Sequence, residues 1–211
     1  MLTNKAFIFD MDGVMLDSES YWQKEDRIFP EISKQTMGQS MKNIYQIALK
    51  HGYNHPYAQF FKAYDQQAVK IYSRAPLTSN LPQLFQKLIK AHFRLGLVSA
   101  SPIKWINYVL ARLPQPNIFN VIISINDSDL PSKPAPDGYL EAMKQLYVNP
   151  AETIILEDSG YGVQSAKASG AYTICLTEHW PKNYSAPGAD RYIKNLVQLN
   201  LNPIKLQIFP T

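Results

Sequence analysis

Five short apolar runs alternate along the chain with stretches of helical spacing, and this alternation restricts the fold more than any other feature. The runs are Lys5 to Asp10, Phe93 to Ser99, Asn120 to Ser124, Thr153 to Leu156 and Ala171 to Leu176. Helical spacing covers Leu81 to Ala91, Ile103 to Leu113, Gly138 to Leu146 and Gly162 to Ser169, with Gly170 suited to a helix C-cap. Continuous rather than alternating apolarity marks strands buried on both faces, and strands alternating with helices make βαβ units around a parallel sheet. Residues 18–75 break the rhythm. They offer no strand but three helical patterns, Glu19 to Phe29, Ser40 to Lys50 and Tyr57 to Tyr72. The predicted organisation is an α/β core of residues 1–17 and 76–211 with a small all-helical unit, residues 18–75, inserted after the first strand. After Pro203, Ile204, Leu206 and Ile208 alternate with Lys205 and Gln207, a pattern that allows an edge strand.

With 45% hydrophobic and 18% charged residues in 211, the chain has the composition of a folded globular protein, which excludes disordered, collagen-like and coiled-coil classes. No apolar run approaches the roughly 20 residues that span a bilayer. Asp10 and Asp12 fall where a signal peptide would need its apolar stretch, so the expected location is the cytoplasm. Cys175 is the single cysteine; it has no partner for an internal disulfide, and its apolar setting predicts a buried thiol. The net charge is +4, yet no two Lys or Arg residues are adjacent. No basic arm exists to hold nucleic acid, and the expectation is a monomer acting on a small metabolite, with neither nucleic acid nor membrane as partner. From Arg27 to Arg112 only Glu31 and Asp65 oppose the basic residues, a stretch that would either draw in small anions or simply form solvated helix faces. The histidines point nowhere: His51 and His55 are four apart, but Gly52, Asn54 and Pro56 break any helix there, and His92 and His179 stand alone.

Four polar clusters sit at the ends of the predicted strands, where open parallel sheets bind ligands. Asp10 and Asp12, followed by Gly13, set two carboxylates beside a buried strand, as a nucleophile with a general acid/base or as ligands of a divalent ion; a plain Asp-Gly turn has the same residues. Ser99, Ala100 and Ser101 lead into Pro102, and their hydroxyls and amides suit either a phosphate or a helix cap. Lys133 is fixed between Ser132 and Pro134, able to balance a phosphoryl group. Glu157 and Asp158 end an apolar strand, where adjacent acids are costly unless hydrated, capped or metal-bound; a hard cation, most simply Mg²⁺, fits them best. Gly160 and Gly162 lack the rest of a dinucleotide fingerprint.

In this order the clusters resemble the four motifs of the haloacid dehalogenase superfamily of Mg²⁺-dependent phosphohydrolases, from Phe7 to about Leu176. More closely, residues 9–20 (FDMDGVMLDSES), 97–102 (LVSASP), 132–137 (SKPAPD) and 156–159 (LEDS) are similar to the β-phosphoglucomutase and sugar-phosphate phosphatase branch, especially the hexitol and 2-deoxyglucose-6-phosphate phosphatases. The resemblance implies a Rossmann-like parallel core with a helical cap. It implies Asp10 as nucleophile and Asp12 as the acid that protonates the leaving group and then activates water. Mg²⁺ would lie on Asp10, the Asp12 carbonyl and Asp158, with Glu157 supporting it directly or through water. Ser99 and Lys133 would hold the phosphoryl oxygens, joined by amides around Met11 to Gly13 and at Ala100. Ser79-Asn80 replaces the usual Pro-Gly after the cap, and the insertion is shorter than in relatives of this branch. Trp22 stands where the mutases carry a histidine and Met41 where they carry an arginine, which leaves Trp22 and Lys42 as candidate substrate-side residues. The expected activity is hydrolysis of small phosphate monoesters of sugars or polyols; a phosphosugar mutase and a non-catalytic phosphoryl-binding domain are the alternatives.

Overall fold

The computed structural model describes residues 5–25 and 36–199. Its centre is β1 (Ala6–Phe9), a strand whose side chains are all buried because the sheet is covered on both faces. Phe7 and Phe9 point into one apolar layer, Ala6 and Ile8 into the other, as the two-residue period of a strand requires. Five further strands, β2 (Arg94–Ser99), β3 (Val121–Ser124), β4 (Thr153–Glu157), β5 (Tyr172–Leu176) and β6 (Arg191–Ile193), complete a sheet of order β3-β2-β1-β4-β5-β6. Every pairing is parallel. The five expected strands are present. β6 was not among them, and the alternating tail after Pro203 lies outside the described residues.

Parallel neighbours require crossovers, and helices supply them. On the Phe7 face, α4 (Leu81–Lys90) buries Leu81, Leu84, Phe85 and Leu88, and α5 (Ile103–Leu110) buries Trp105, Ile106 and Val109. On the Ile8 face lies α6 (Asp137–Leu146), with Tyr139, Ala142, Met143 and Leu146. The crossover from β4 to β5 is α7 (Gly160–Ala168), which begins two residues before its expected start because Ser159 caps it, accepting from the Gly162 amide at 3.1 Å, whereas β5 reaches β6 without a helix. Gly170 follows it at φ +81°, the left-handed conformation a C-terminal glycine provides. Cys175 is buried, as expected.

Between β1 and α4 come α1 (Ser18–Glu25), α2 (Met41–Lys50) and α3 (Tyr57–Arg74). The end of the first expected helix falls outside the described residues. The chain leaves and rejoins the sheet side by side: Leu16 bridges Leu77, the Asp17 amide donates to Pro76 O at 3.0 Å, and the Thr78 amide donates to Met15 O at 2.9 Å. At the return, Asn80 takes φ +64°, a conformation that asparagine tolerates better than most side chains, so Ser79-Asn80 makes the turn without glycine. Helix α3 is tied to α5. Asp65 accepts from Lys104 Nζ at 2.7 Å and Trp105 Nε1 at 2.8 Å, while Arg112 donates to the carbonyls of Tyr72, at 2.5 Å, and Ala75, at 2.7 Å. No described helix is long and apolar enough to cross a membrane.

Candidate active site

The C-terminal ends of β1, β2 and β4 lie level, because Phe9 pairs with both Leu97 and Leu156. The next residue of β1 is therefore Asp10, which leaves the sheet with its amide donated to Leu156 O at 2.9 Å. Beside it stands Glu157, the last residue of β4. Lys133 joins the two: its ammonium donates to Asp10 Oδ1 at 2.6 Å and Glu157 Oε1 at 2.5 Å, with 1% of the residue exposed. The peptide bond from Lys133 to Pro134 is cis.

Glu157 is fully enclosed and its two oxygens are saturated. Oε1 also accepts from Tyr139 Oη at 2.6 Å, while Oε2 accepts from the Asp158 and Ser159 amides and the Ser159 hydroxyl, at 2.9, 3.2 and 3.2 Å. Burial would raise its pKa, but Lys133 and these donors hold it below the usual carboxylate range. Against its own burial, Asp10 and Glu157 hold the Lys133 ammonium above its usual range. Asp10 is pushed up to about 8, first by burial and then by Glu157 and Asp12, in spite of Lys133. Burial and the neighbouring Glu157 and Asp10 also raise Asp158 well above its ordinary value.

This is a charge count that does not close. Asp10, Glu157 and Asp158 bring carboxylate oxygens within 4.8 Å of one another, and one ammonium faces three carboxylates. The Asp158 carboxylate has no hydrogen-bond donor among the described residues and presses on Gly13, where an added Cβ would fall 1.8 Å from its Oδ2. Gly13 is at φ +72°, so both the turn and the contact demand glycine. Gly162 makes similar room for Glu157. A divalent cation with oxygen ligands fits this donor set: hard, anionic and short of positive charge. The loop that carries it is braced from outside, since Trp180 Nε1 donates to Asp158 O at 2.6 Å and the Gly160 amide donates to Tyr184 Oη at 2.8 Å.

Asp12 faces a different set of groups. Tyr72 Oη, at the end of α3, donates to its Oδ1 at 2.8 Å, and Ser101 Oγ donates to its Oδ2 at 2.8 Å. Trp22 Nε1 backs the Tyr72 hydroxyl at 3.4 Å. Burial raises the Asp12 pKa, and the hydroxyls of Ser18, Ser101 and Tyr72 partly offset this.

Asp10 and Asp12 open onto a cleft of about 660 Å³, part of it open to solvent. Trp22, Tyr64, Tyr72 and Trp105 form its aromatic wall; Trp22 lies with its ring centroid 5.6 Å from Trp105 and 5.7 Å from Tyr64. Met37 and Met41 add apolar surface, and Ala100 and Ser101 line the side of β2. Four of the expected residues meet directly: Asp10, Lys133, Glu157 and Asp158. Ser99 is buried with its Oγ accepting from the Ser101 amide at 3.0 Å, and it is Ser101 that reaches Asp12. Met11 is buried, and the Gly13 amide is already donated to Leu16 O at 3.0 Å and Ser18 Oγ at 3.3 Å. Lys42 is exposed on α2 and does not line the cleft. Tyr72, Tyr139 and Glu19 carry no role in the sequence reading, and Ser101 enters it only as a member of the cluster after the second strand, not as a partner of Asp12. Tyr72 and Tyr139 sit on helix faces that read as ordinary core, whereas Ser101, in the polar cluster after β2, was the one within reach.

An α/β sheet with two aspartates after its central strand, a lysine bridging to the end of the next strand and a second acid beside it defines a haloacid dehalogenase-like hydrolase. The family model for haloacid dehalogenase-like hydrolase matches residues 7–176, and the chain belongs to that family. It is 26% identical to protein CbbY of Rhodobacter capsulatus, over 91% of this chain and 93% of the relative. To hexitol phosphatase B of Escherichia coli it is 28% identical, over 81% and 82%. Its fold is that of β-phosphoglucomutase from Clostridium difficile, with a TM-score of 0.78 at 23% identity over 97% of this chain and 96% of that one.

Proposed function

We propose that this hydrolase is a phosphoric monoester hydrolase that releases phosphate from small sugar or polyol monophosphates through a phospho-aspartate at Asp10. The observation that carries the reading is the pairing in one cleft of two unlike carboxylates: Asp10 against Lys133, and Asp12 held by two hydroxyls. In the first half-reaction Asp10 attacks phosphorus, the ester P–O bond breaks, and Asp12 gives its proton to the leaving oxygen. In the second, Asp12 takes a proton from water as that water attacks the phosphorus of phospho-Asp10, and inorganic phosphate and free Asp10 result. Lys133 compensates charge on Asp10 and the phosphoryl oxygens, joined by Ser99 and the amides of Met11, Asp12 and Ala100, while the Gly13 amide stays engaged within its own turn. Mg²⁺ would be held by Asp10, Asp158 and the Asp12 carbonyl, where it supplies further charge compensation to the phosphoryl group. Glu157, with both oxygens taken, supports this set from behind through Lys133.

Helices α1 to α3 act as the cap over the core, and Trp22 gives the cleft an apolar wall for the carbon skeleton of the substrate. The named hexitol phosphatase among the relatives supports this substrate class. Hydrolysis is favoured over the mutase alternative by Met41. Its side chain lines the cleft and its amide donates to Asn126 Oδ1 at 3.1 Å, so the segment docks on the core through neutral groups rather than through a cation that would grip a second phosphate. A screen for phosphate release over hexitol, hexose and glycolate phosphates, with Mg²⁺ and with excess chelator, tests the reading. Release from hexitol or hexose monophosphates that chelator abolishes is expected. Conversion of β-glucose 1-phosphate to glucose 6-phosphate faster than phosphate release would overturn it in favour of the mutase.

A further inference from the structure

Two polar groups on one face of α1, the Glu19 carboxyl and Gln23 Nε2, are enclosed in the cleft with no hydrogen bond among the described residues, and the proposed chemistry uses neither. Glu19 lines the cleft beside Asp10 and Asp12, is 9% exposed and meets only burial and like charges. Four residues on, and so on the same helical face, Gln23 also lines the cleft, and its Nε2 is enclosed with no partner. Buried polar groups are nearly always paired, because an unpaired one forfeits its hydrogen bonds to water and gains nothing in return. Folding gives no reason to keep two such groups together; a ligand that completes them does.

We propose that Glu19 and Gln23 form a subsite for adjacent hydroxyls on the carbon chain of the phosphate ester, which makes this face of α1 the determinant of a polyhydroxylated substrate. The inference rests on the phosphatase reading above and sharpens its substrate class. A hydroxyl is both donor and acceptor, so it can donate to Glu19 while accepting from Gln23 Nε2. An ammonium group has no acceptor for Gln23, and a second anion would face Asp10, Asp12 and Glu19 together. Trp22, between the two on the helix, offers its ring to the C–H face of the same chain.

The test compares kcat/KM for glucitol 6-phosphate and n-hexyl phosphate, esters of equal chain length with and without hydroxyls, in the Mg²⁺-loaded wild type, Glu19→Leu and Gln23→Leu. A site built to bond hydroxyls rejects an analogue that lacks them far more strongly than an apolar pocket discriminates by shape. The wild type is expected to prefer the glucitol ester at least 100-fold, and each substitution is expected to reduce that ratio tenfold or more. The thermal midpoint of Glu19→Leu is expected to hold or rise, which a structural role would not allow. An unchanged ratio with an active wild type, or an equal loss on both esters, would overturn the inference and leave the phosphatase reading standing. So would a preference for glucosamine 6-phosphate over glucose 6-phosphate that Glu19→Leu removes, since that assigns an ammonium instead. No phosphate release from any ester by the wild type would remove the phosphatase reading itself.

Discussion

Glu157 and Glu19 are both buried glutamates at the same site, yet one has every oxygen saturated and the other has no hydrogen-bond partner among the described residues. Glu157 ends a strand, where register fixes its position to the residue and where Lys133, Tyr139 and the first turn of α7 can be arranged around it. Glu19 lies on a helix that leans over the sheet, and its side chain reaches the open cleft. The contrast teaches that this protein completes its electrostatics where charge must stay constant and leaves it incomplete where substrate must fit. Burial without partners is tolerated at functional sites and selected against elsewhere.

The largest expected effect breaks the completed side. Lys133→Met leaves Asp10 and Glu157 buried without their ammonium, and removal of one partner of such a group costs roughly 3–5 kcal/mol. Urea unfolding of the metal-free protein is expected to register a loss of that size; a change below about 1 kcal/mol would mean that the triad is not held as described.

A smaller effect is expected where the two sides meet, at Asp12. Tyr72→Phe removes one of its hydroxyl donors with nearly the same shape, so Asp12 keeps its chemistry and loses its aim. We expect kcat for alkyl phosphates to fall about tenfold, and for p-nitrophenyl phosphate, which needs little help from an acid, less than threefold. An equal fall for both esters would show a general disturbance instead of mispositioned acid catalysis.

The mildest effect sharpens the contrast by pH. Glu19 ionises at about 8 in the folded protein against an ordinary 4.5. Between these values the folded state keeps a proton that the unfolded chain has lost, so this part of the stability is complete at low pH and is lost as pH rises towards 8. Glu157, held below its usual range, has the opposite sign: its contribution is present above the unfolded value and disappears on acidification. In the metal-free protein, Glu19→Gln is expected to narrow the drop in urea midpoint between pH 5 and pH 8. A slope unchanged by that substitution would mean that Glu19 does not carry the proton.

Much of this architecture was legible before any coordinates. Parallel strands buried on both faces must be apolar throughout, which is why β1 to β5 stood out, and polar residues fell at or just after their ends at Asp10, Ser99 and Glu157, with Lys133 further along the segment from β3 to α6. β6 escaped because it is three residues long at an edge, with Arg191 half-buried, Tyr192 exposed and Ile193 alone buried. Tyr72, Tyr139 and Glu19 escaped for another reason. Each reaches the site from a helix, where a periodic face records that a residue points inward and not which carboxylate it will meet. Trp22, expected on the substrate side, does line the cleft; Lys42, expected there too, lies one step along α2 from Met41, and one step along a helix turns a side chain by about 100°, out to solvent.

The central claim is that phosphate passes through Asp10. Rapid quenching of the Mg²⁺-loaded enzyme during turnover of a ³²P-labelled hexitol phosphate, followed by peptide mapping, tests it most directly. The account predicts acid-stable, base-labile label on the peptide that contains Asp10, label that persists longer in Asp12→Asn, and neither label nor turnover in a folded Asp10→Asn variant. Label on another residue, or steady phosphate release by Asp10→Asn, would contradict it.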